Sequence, residues 1–493
     1  MSNANSTNGK GASSEPRFII IGAGMSGILS AIKLKEAGLD YAIYEKADRL
    51  GGTWRENEYA GLSCDVPSHL YCYSFAPNPD WSHRFSPGAE IQAYFVDIAE
   101  RYGIDKEIQY NKKITRCAFE DGRWQIETSD GSTDAGDFGI AATGVLHEPA
   151  YPDIEGLDSF QGTVFHSARW NHDAELAGKR IGVIGTGSTA IQIVAALIDD
   201  AKELSLFQRT AQWVTPQENP AFTEEEKADF RAHPEKMQQM REFIAKGFAD
   251  GFANAVIDAN SPELRMIHDT CVANLENSVK DSALREKLRP NYRAGCKRLI
   301  MSEDFYDAIQ KPNANLVTEG IERIEQTGVR TKDGELHELD VLILATGFRV
   351  DRFMRPMNVI GRNGTKLDDV WSHGPCAYMA ITIPEFPNIF MLNGPNGPVG
   401  NFSLIDVAEL QFSYIMKLVD QVRSGACKEV SVSQEAMEKF DEERKEAAKS
   451  TIWQSGCNSW YLDANGVPAV WPWTFDRFRD EMANPRLDHF DLR

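Results

Sequence analysis

The sequence predicts an α/β protein built from two doubly wound βαβ units, with a helical insertion in the second unit. The first unit begins with an apolar strand at 18–21, a glycine-rich turn, a helix to about residue 37 and a second strand at 41–44. The same order returns at Arg180, with strands at 181–184 and 204–207 around another glycine-rich turn. Short apolar strands that alternate with helical patterns are typical of a parallel sheet covered by helices.

Composition and charge are those of an acidic, soluble, multidomain protein. The chain has 493 residues, of which 42% are apolar and 25% charged, and this length allows two or three domains. Its formal net charge of −21 repels nucleic acid and anionic membranes. No apolar run approaches the roughly 20 residues of a membrane span. The eight cysteines show no metal-like spacing with histidine, and we expect a cytoplasmic protein without a metal.

The first glycine-rich turn covers residues 22–27 and reads GAGMSG. Gly22 allows the tight bend, Gly24 lets a pyrophosphate approach the backbone, and Gly27 packs the helix against the strand. Glu45 ends the second strand, where a carboxylate accepts hydrogen bonds from ribose hydroxyls. Strand, turn, helix and acid together predict a bound dinucleotide in a Rossmann-like domain.

The second turn covers residues 185–190 and reads GTGSTA, a variant of the same motif with alanine in the third place. Where the first unit has Glu45, the second has Gln208, followed by Arg209 and Thr210. A cation and a hydroxyl at that place complement a ribose 2′-phosphate, so we expect NADP rather than NAD. The other residues expected to bind this dinucleotide are Gly185, Gly187, Ser188, Thr189 and Gln192.

Changes of composition suggest the domain boundaries. Between 222 and 288 the residues are charged and favour helices, which predicts a helical insertion. Two apolar strands, at 140–144 and 342–347, both end in Thr-Gly, and we interpret them as crossings between the units. The predicted segments are a disordered leader at 1–16, a first nucleotide-binding domain at 17–150 and 345–493, a linker with the first part of the second domain at 151–216, the insertion at 217–290, and the rest of the second domain at 291–344.

Two nucleotide sites of opposite charge preference imply electron transfer between them. NADPH would supply a hydride, and FAD in the first domain would receive it. A disulfide reductase needs a redox-active cysteine pair beside the flavin, and the sequence offers no such pair at close spacing. Dioxygen is therefore the expected electron acceptor.

The linker between the two units carries a further motif. It begins at Phe160 and reads FQGTVFHSARW, which resembles the F-x-G-x-x-x-H-x-x-x-W motif of the Baeyer–Villiger monooxygenases. Related flavin-containing monooxygenases usually end this motif with Tyr or Phe instead of Trp170. The residue after the motif is Asn171, where the Baeyer–Villiger family has Pro or Asp. The resemblance implies that Phe160, Gly162, His166 and Trp170 act on domain movement rather than on the reacting atoms.

The resemblance extends over nearly the whole chain after the leader. The segment 51–75 resembles the flavin-proximal loop of the family, and the family's active-site aspartate falls on Asp65. The segment 295–299 resembles the loop with the catalytic arginine, which falls on Arg298, and Lys297 matches a lysine of the 2′-phosphate site. The tail from 460 to 472 is similar to the family's C-terminal region. The flavin-proximal residues implied in this way are Trp54, Asp65 and Tyr71.

The chemistry that the resemblance implies is the NADPH- and dioxygen-dependent oxidation of ketones to esters or lactones through a flavin C4a-peroxide. This peroxide must be an anion to attack a carbonyl. Arginine suits the task because its charge is permanent and its planar fork can donate to both the peroxide and the oxyanion of the adduct. Asp65 would pair with Arg298 and fix its rotamer.

Two other functions stay open. A flavin-containing monooxygenase oxidises amine nitrogen or sulfide sulfur with a protonated peroxide and needs no catalytic arginine, so Trp170 and Arg298 favour the Baeyer–Villiger interpretation. A flavin-binding redox sensor or scaffold would not couple NADPH oxidation to a product. For an enzyme, the turn-rich loop at 393–398 is expected to form part of the flavin and substrate wall.

Overall fold

The computed structural model describes residues 15–400 and 402–493. Of the leader predicted at 1–16, residues 1–14 lie outside this part of the chain. The strands are β1 Arg17–Ile21, β2 Asp40–Tyr44, β3 Ile108–Gln109, β4 Ile114–Glu120, β5 Arg123–Thr128, β6 Thr133–Gly136, β7 Phe138–Ala141, β8 Thr163–His166, β9 Arg180–Ile184, β10 Glu203–Phe207, β11 Val214–Thr215, β12 Ile300–Met301, β13 Ala314–Val317, β14 Ile321–Glu325, β15 Gly328–Thr331, β16 Leu336–Glu338, β17 Val341–Leu344, β18 Asn358–Ile360, β19 Ile389–Met391, β20 Val430–Val432 and β21 Phe490–Leu492. The helices are α1 Met25–Glu36, α2 Thr53–Glu56, α3 Gly88–Arg101, α4 Ser188–Leu197, α5 Glu224–Ala232, α6 Pro234–Phe248, α7 Pro262–Ser278, α8 Ser282–Leu288, α9 Phe305–Ile309, α10 Leu367–Val370, α11 Leu404–Arg423, α12 Gln434–Ala448 and α13 Phe475–Ala483.

Two five-stranded parallel sheets form the framework. The first has the order β19-β7-β1-β2-β3 and the second the order β13-β10-β9-β17-β8. In both, the strand before the glycine-rich turn pairs with the strand that follows the next helix. The predicted α/β fold with two Rossmann-like units is therefore confirmed, and β19 shows that the chain returns to the first sheet after leaving the second.

Both faces of β1 are buried, as the alternation of side chains along a strand requires. Phe18 and Ile20 face a cluster that includes residues of α1, α3 and α11. Ile19 and Ile21 face the other way, against Trp124 and its neighbours in the four-stranded sheet β18-β4-β5-β6. The second parallel sheet is covered on one face by α4 and α9 and on the other by the sheet β14-β15-β16.

The insertion consists of α5 to α8, with a π-helical turn at Ala249–Ala253 between α6 and α7. Side-chain caps begin its helices: Thr223 forms a capping box with Glu226, and Ser261 accepts from the Leu264 amide at 3.1 Å. One buried side chain fixes α6 to the first unit. Arg241 donates to the carbonyl oxygens of Leu70 and Cys72, at 3.1 and 2.8 Å, and pairs with Asp406.

None of the helices in the described part of the chain is both long and apolar enough to cross a bilayer.

Candidate active site

The first glycine-rich turn has a backbone that only glycine fits. Gly22 has a φ of 102°, and a Cβ there would lie 2.6 Å from the carbonyl oxygen of Ala142. A Cβ on Gly27 would lie 1.8 Å from the carbonyl oxygen of Gly22, so the third glycine lets α1 begin against the turn. Glu45 is 4% exposed and accepts from the Ala23 amide at 2.7 Å. The turn and its acid thus form one cradle, which fits a dinucleotide.

The second turn repeats this geometry. Gly185 has a φ of 124°, and a Cβ there would lie 2.2 Å from the carbonyl oxygen of Ala345. A Cβ on Gly187 would meet nothing within 4 Å, so the backbone at the second glycine is open to a ligand. Gln192, one turn into α4, accepts from the Tyr59 hydroxyl at 2.8 Å and donates to the Ser63 carbonyl at 3.1 Å. Gln192 therefore connects this nucleotide site to the loop that carries Asp65.

Two cations lie next to each other beside the second turn. Arg209 is exposed and Lys297 is half-buried, with its Nζ 5.0 Å from the ring centre of Tyr292. Burial lowers the pKa of Lys297, and the charge of Arg209 lowers it further. Thr210 is also half-buried, and its carbonyl accepts from the Thr186 hydroxyl at 2.8 Å. Neighbouring cations repel each other unless an anion lies between them, and this arrangement suits a 2′-phosphate.

Asp65 and Arg298 are 233 residues apart in the sequence and form an ion pair in the structure. The Arg298 Nε donates to the Asp65 Oδ2 at 3.1 Å, and the Nη2 donates to the same oxygen. Each side chain is 30% exposed. Burial acts to lower the pKa of Arg298, but the charges of Asp65 and Tyr461 and the hydrogen bonds to them together outweigh it and raise this pKa above its ordinary value. The guanidinium is therefore charged at every working pH.

Two aromatic side chains of the segment 51–75, Trp54 and Tyr71, contact each other. The Trp54 Nε1 donates to the Tyr71 hydroxyl at 3.1 Å, and the two rings meet edge to face with their centres 5.5 Å apart. Burial raises the pKa of Tyr71, Asp65 raises it further, and Arg298 acts in the opposite direction. The phenol is therefore close enough to the ion pair to sense both charges.

Comparisons with known proteins identify the family. A family model described as flavin-binding monooxygenase-like matches residues 15–225. A Baeyer–Villiger monooxygenase of Streptomyces coelicolor is 38% identical over 485 residues, which cover 97% of this chain and 92% of the relative. The chain belongs to the Baeyer–Villiger monooxygenases. An uncharacterized monooxygenase of Mycobacterium tuberculosis is 46% identical over 97% of this chain and 96% of its own. The crystal structure of cyclohexanone monooxygenase from Rhodococcus sp. Phi1, bound to NADP+, is 28% identical and superposes with a TM-score of 0.87 over 97% of this chain and 100% of that one.

This family assignment confirms the two expected cofactors. The protein is an FAD-dependent NADPH monooxygenase that acts on a small molecule and dioxygen. The two glycine-rich turns described above offer a cradle for each of two dinucleotides within one chain.

The linker motif lies where the chain of this monooxygenase crosses between its two parallel sheets. His166 is 1% exposed, accepts from the Ala168 amide at 3.0 Å and packs between Tyr151 and Phe348. Burial lowers its pKa, which favours the neutral form of the ring. Trp170 packs edge to face on Phe165, with ring centres 5.1 Å apart.

The first and last parts of the motif are equally constrained. Phe160 is buried, and a Cβ on Gly162 would lie 2.4 Å from the carbonyl oxygen of Asp340. Arg169, just before Trp170, pairs with Glu56 of α2 at 2.6 Å. These contacts join the linker motif to the segment 51–75. Such contacts would help to set the position of one unit relative to the other.

Two parts of the site were missed by the sequence reasoning. Tyr461 is 4% exposed, and a Cβ on Gly400 would lie 2.3 Å from its hydroxyl and 3.0 Å from Nη1 of Arg298. Burial raises the pKa of Tyr461 while Arg298 opposes this shift. Cys296 and Cys457, 161 residues apart, form a disulfide. A cysteine pair this distant in the chain leaves no local pattern in the sequence.

An apolar cavity lies against the insertion, and its wall includes one residue from each of the segments that carry Asp65 and Arg298. Its volume is about 400 Å³, and it lies between α6 and α7 of the insertion and the short strands β11 and β12. Leu299 directly follows Arg298, and Pro67 is two residues after Asp65. The lining residues are Pro67, Thr215, Ile244, Gly247, Phe248, Gly251, Phe252, Met266, Ile267, Thr270, Leu299 and Met301.

Proposed function

We propose that this monooxygenase oxidises ketones to esters or lactones, and that Arg298 is its catalytic residue. The observation that supports this function best is the charged, half-buried guanidinium of Arg298, which Asp65 holds in an ion pair. Oxidation of an amine nitrogen or a sulfide sulfur passes through no carbonyl oxyanion, so that reaction would not need this cation.

The role of Arg298 follows from the N–H groups that it has available. A guanidinium has five N–H donors, and Asp65 uses donors on Nε and Nη2. The others are available to Tyr461 and to the substrate. When a ketone carbonyl is attacked, its oxygen becomes negative, and a fixed cation within hydrogen-bonding distance stabilises that charge. Because the charge of Arg298 is permanent, this stabilisation does not depend on pH.

The remaining residues hold the cofactors and the substrate. Reduced FAD, when bound, supplies two electrons to dioxygen after NADPH has delivered its hydride. Glu45 and the first turn would hold FAD, while Arg209, Thr210 and Lys297 would hold the 2′-phosphate of NADPH. The apolar cavity would exclude water from the reacting atoms and favour an apolar ketone.

The comparisons support ketones as the substrate class. The Streptomyces relative is named as a Baeyer–Villiger monooxygenase, and the superposed Rhodococcus enzyme is named for cyclohexanone.

The test is the variant Arg298→Ala, assayed with a panel of cyclic and linear ketones and with one thioether. We expect FAD reduction by NADPH to continue and ester formation to fall by about 100- to 1,000-fold, the usual cost of removing an oxyanion donor. Arg293→Ala is the matched control because Arg293 is an exposed arginine of the same segment. Ester formation at the wild-type rate in Arg298→Ala would refute the assigned role, and oxidation of the thioether alone by the wild type would favour the heteroatom oxygenase.

A further inference from the structure

A disulfide joins the two chain segments that carry Arg298 and Tyr461, a few residues before each of these side chains. Cys296 is two residues before Arg298, and Cys457 is four residues before Tyr461. Both sulfur-bearing residues are buried, with exposures of 0% for Cys296 and 8% for Cys457. The bond therefore joins the chain that carries the guanidinium to the chain that carries its phenol neighbour.

The surroundings of the bond connect three parts of the molecule. Cys296 and Cys457 belong to one apolar cluster with Val256 and Leu264 of the insertion and with Ile452 of the C-terminal region. The Ile452 amide donates to the Val256 carbonyl at 3.0 Å. This cluster is separate from the cores that cover the two parallel sheets.

The C-terminal segment also contacts the glycine-rich loop at 393–398. The Ala469 amide donates to the Tyr461 carbonyl at 2.8 Å, and the Trp471 amide donates to the Gly397 carbonyl at 3.1 Å. A shift of Cys457 would therefore move Tyr461 together with the segment that contacts this loop.

Arg298 has a long, flexible side chain, so its rotamer is set by the groups that contact it. Asp65 holds the Nε side of the fork, and Tyr461 lies near Nη1. A cross-link that fixes the spacing of residues 296 and 457 limits how far these two backbones can move apart, and so limits the rotamers of Arg298.

We propose that the Cys296–Cys457 disulfide is a positioning cross-link, which keeps Arg298 and Tyr461 together, so that its reduction lowers the share of NADPH oxidation that yields oxygenated product. The inference rests on the proposed role of Arg298. Cys296 and Cys457 are positioning residues, since neither is placed at the reacting atoms.

The redox step is a thiol–disulfide exchange. A small dithiol attacks the sulfur of Cys457, the more exposed of the two, and Cys296 leaves as a thiol. The second thiol of the reagent then displaces Cys457 and closes to a cyclic disulfide. Two electrons and two protons pass from the reagent to the protein, and the S–S bond is replaced by two thiols.

The experiment begins with a thiol count on the holoenzyme. The denatured, untreated protein should show six reactive thiols out of eight cysteines, and all eight after treatment with dithiothreitol. Hydrogen–deuterium exchange should then be faster in segments 292–299 and 452–471 of the reduced protein. NADPH consumption, ester formation and hydrogen peroxide release are measured on the same samples.

We expect the rate of FAD reduction by NADPH to stay unchanged after reduction of the disulfide. Ester formed per NADPH should fall by about tenfold, the kind of loss that follows from a misplaced catalytic group, and hydrogen peroxide release should increase correspondingly. Cys457→Ser should behave like the reduced protein and should not respond further to the dithiol. The matched control is Cys271→Ser, which removes a free, buried cysteine of α7 and should leave the oxidised protein unaffected.

Unchanged ester yield and unchanged exchange in the fully reduced, folded protein would overturn the proposal, as would eight free thiols before treatment. Chemical reduction of the wild type decides the matter even if Cys457→Ser does not fold. Failure of the proposed function has a different result: the oxidised enzyme would form no ester from any ketone, yet its exchange pattern would still depend on the disulfide.

Discussion

Replacement of Asp65 by asparagine removes one charge and keeps the size and shape of the side chain. In the structure a single carboxylate oxygen of Asp65 accepts two donors of Arg298. Two unit charges about 4 Å apart attract each other by roughly 4 kcal/mol at an effective dielectric constant of about 20. Both side chains are 30% exposed, and solvent screening reduces that attraction to about 1–2 kcal/mol. Arg298 would then sample other rotamers, and we expect ester formation to slow by about 5- to 30-fold.

The assay separates positioning from cofactor binding. Ester yield per NADPH should fall in Asp65→Asn, while the FAD content and the rate of flavin reduction should remain those of the wild type. Asp80→Asn serves as the control because Asp80 pairs with Arg231 at an exposed site, where an ion pair contributes little. If Asp65→Asn and Asp65→Ala both retain the wild-type rate and yield, Asp65 does not position Arg298, and the electrostatic reasoning about the site is wrong.

Three further predictions concern the cofactor sites and pH. Arg209→Ala should raise the KM for NADPH by about 10- to 100-fold, because a charge-assisted contact to phosphate contributes about that much to binding. The KM for NADH should stay unchanged. An equal rise in both KM values would exclude a contact between Arg209 and the 2′-phosphate. Glu45→Gln should lower the amount of FAD that copurifies, as measured by absorbance, because the Ala23 amide loses a charged acceptor. His69 is buried between Phe222 and Phe230, and burial lowers its pKa to about 4. The unfolded chain takes up this proton near pH 6.5, so the free energy of unfolding should fall by up to about 3 kcal/mol as the pH drops from about 6.5 to about 4. Urea unfolding of His69→Leu should lack this part of the loss. If the variant and the wild type lose stability equally over this pH range, the prediction is wrong.

The fold was accessible from the sequence because its pattern is local. A buried strand, a glycine turn and the next strand lie within about thirty residues of each other, and the two turns at Gly22 and Gly185 have the backbone angles that the motif requires. The sequence also distinguished the two cradles, since Glu45 directly follows β2, whereas β10 is followed by Gln208 and then Arg209.

The Asp65–Arg298 pair was accessible only through the family resemblance. No local pattern links Asp65 to Arg298 across 233 residues, and the resemblance supplied both positions. Tyr461 and the cysteine pair were missed for the same physical reason. Their partners are brought together by tertiary packing, and neither periodicity nor spacing in the sequence records which distant segments will pack against one another.

The contacts of Arg241 have a consequence for engineering the substrate range. Exchange of the segment 217–290 with that of a relative is an obvious way to reshape the cavity, since α6 and α7 line much of it. A replacement segment without arginine at this place would leave the carboxylate of Asp406 and the main-chain oxygens of Leu70 and Cys72 without their donor. Loss of one partner from a buried ion pair costs about 3–5 kcal/mol. Chimeras that retain Arg241 should therefore fold more often than those chosen on cavity shape alone.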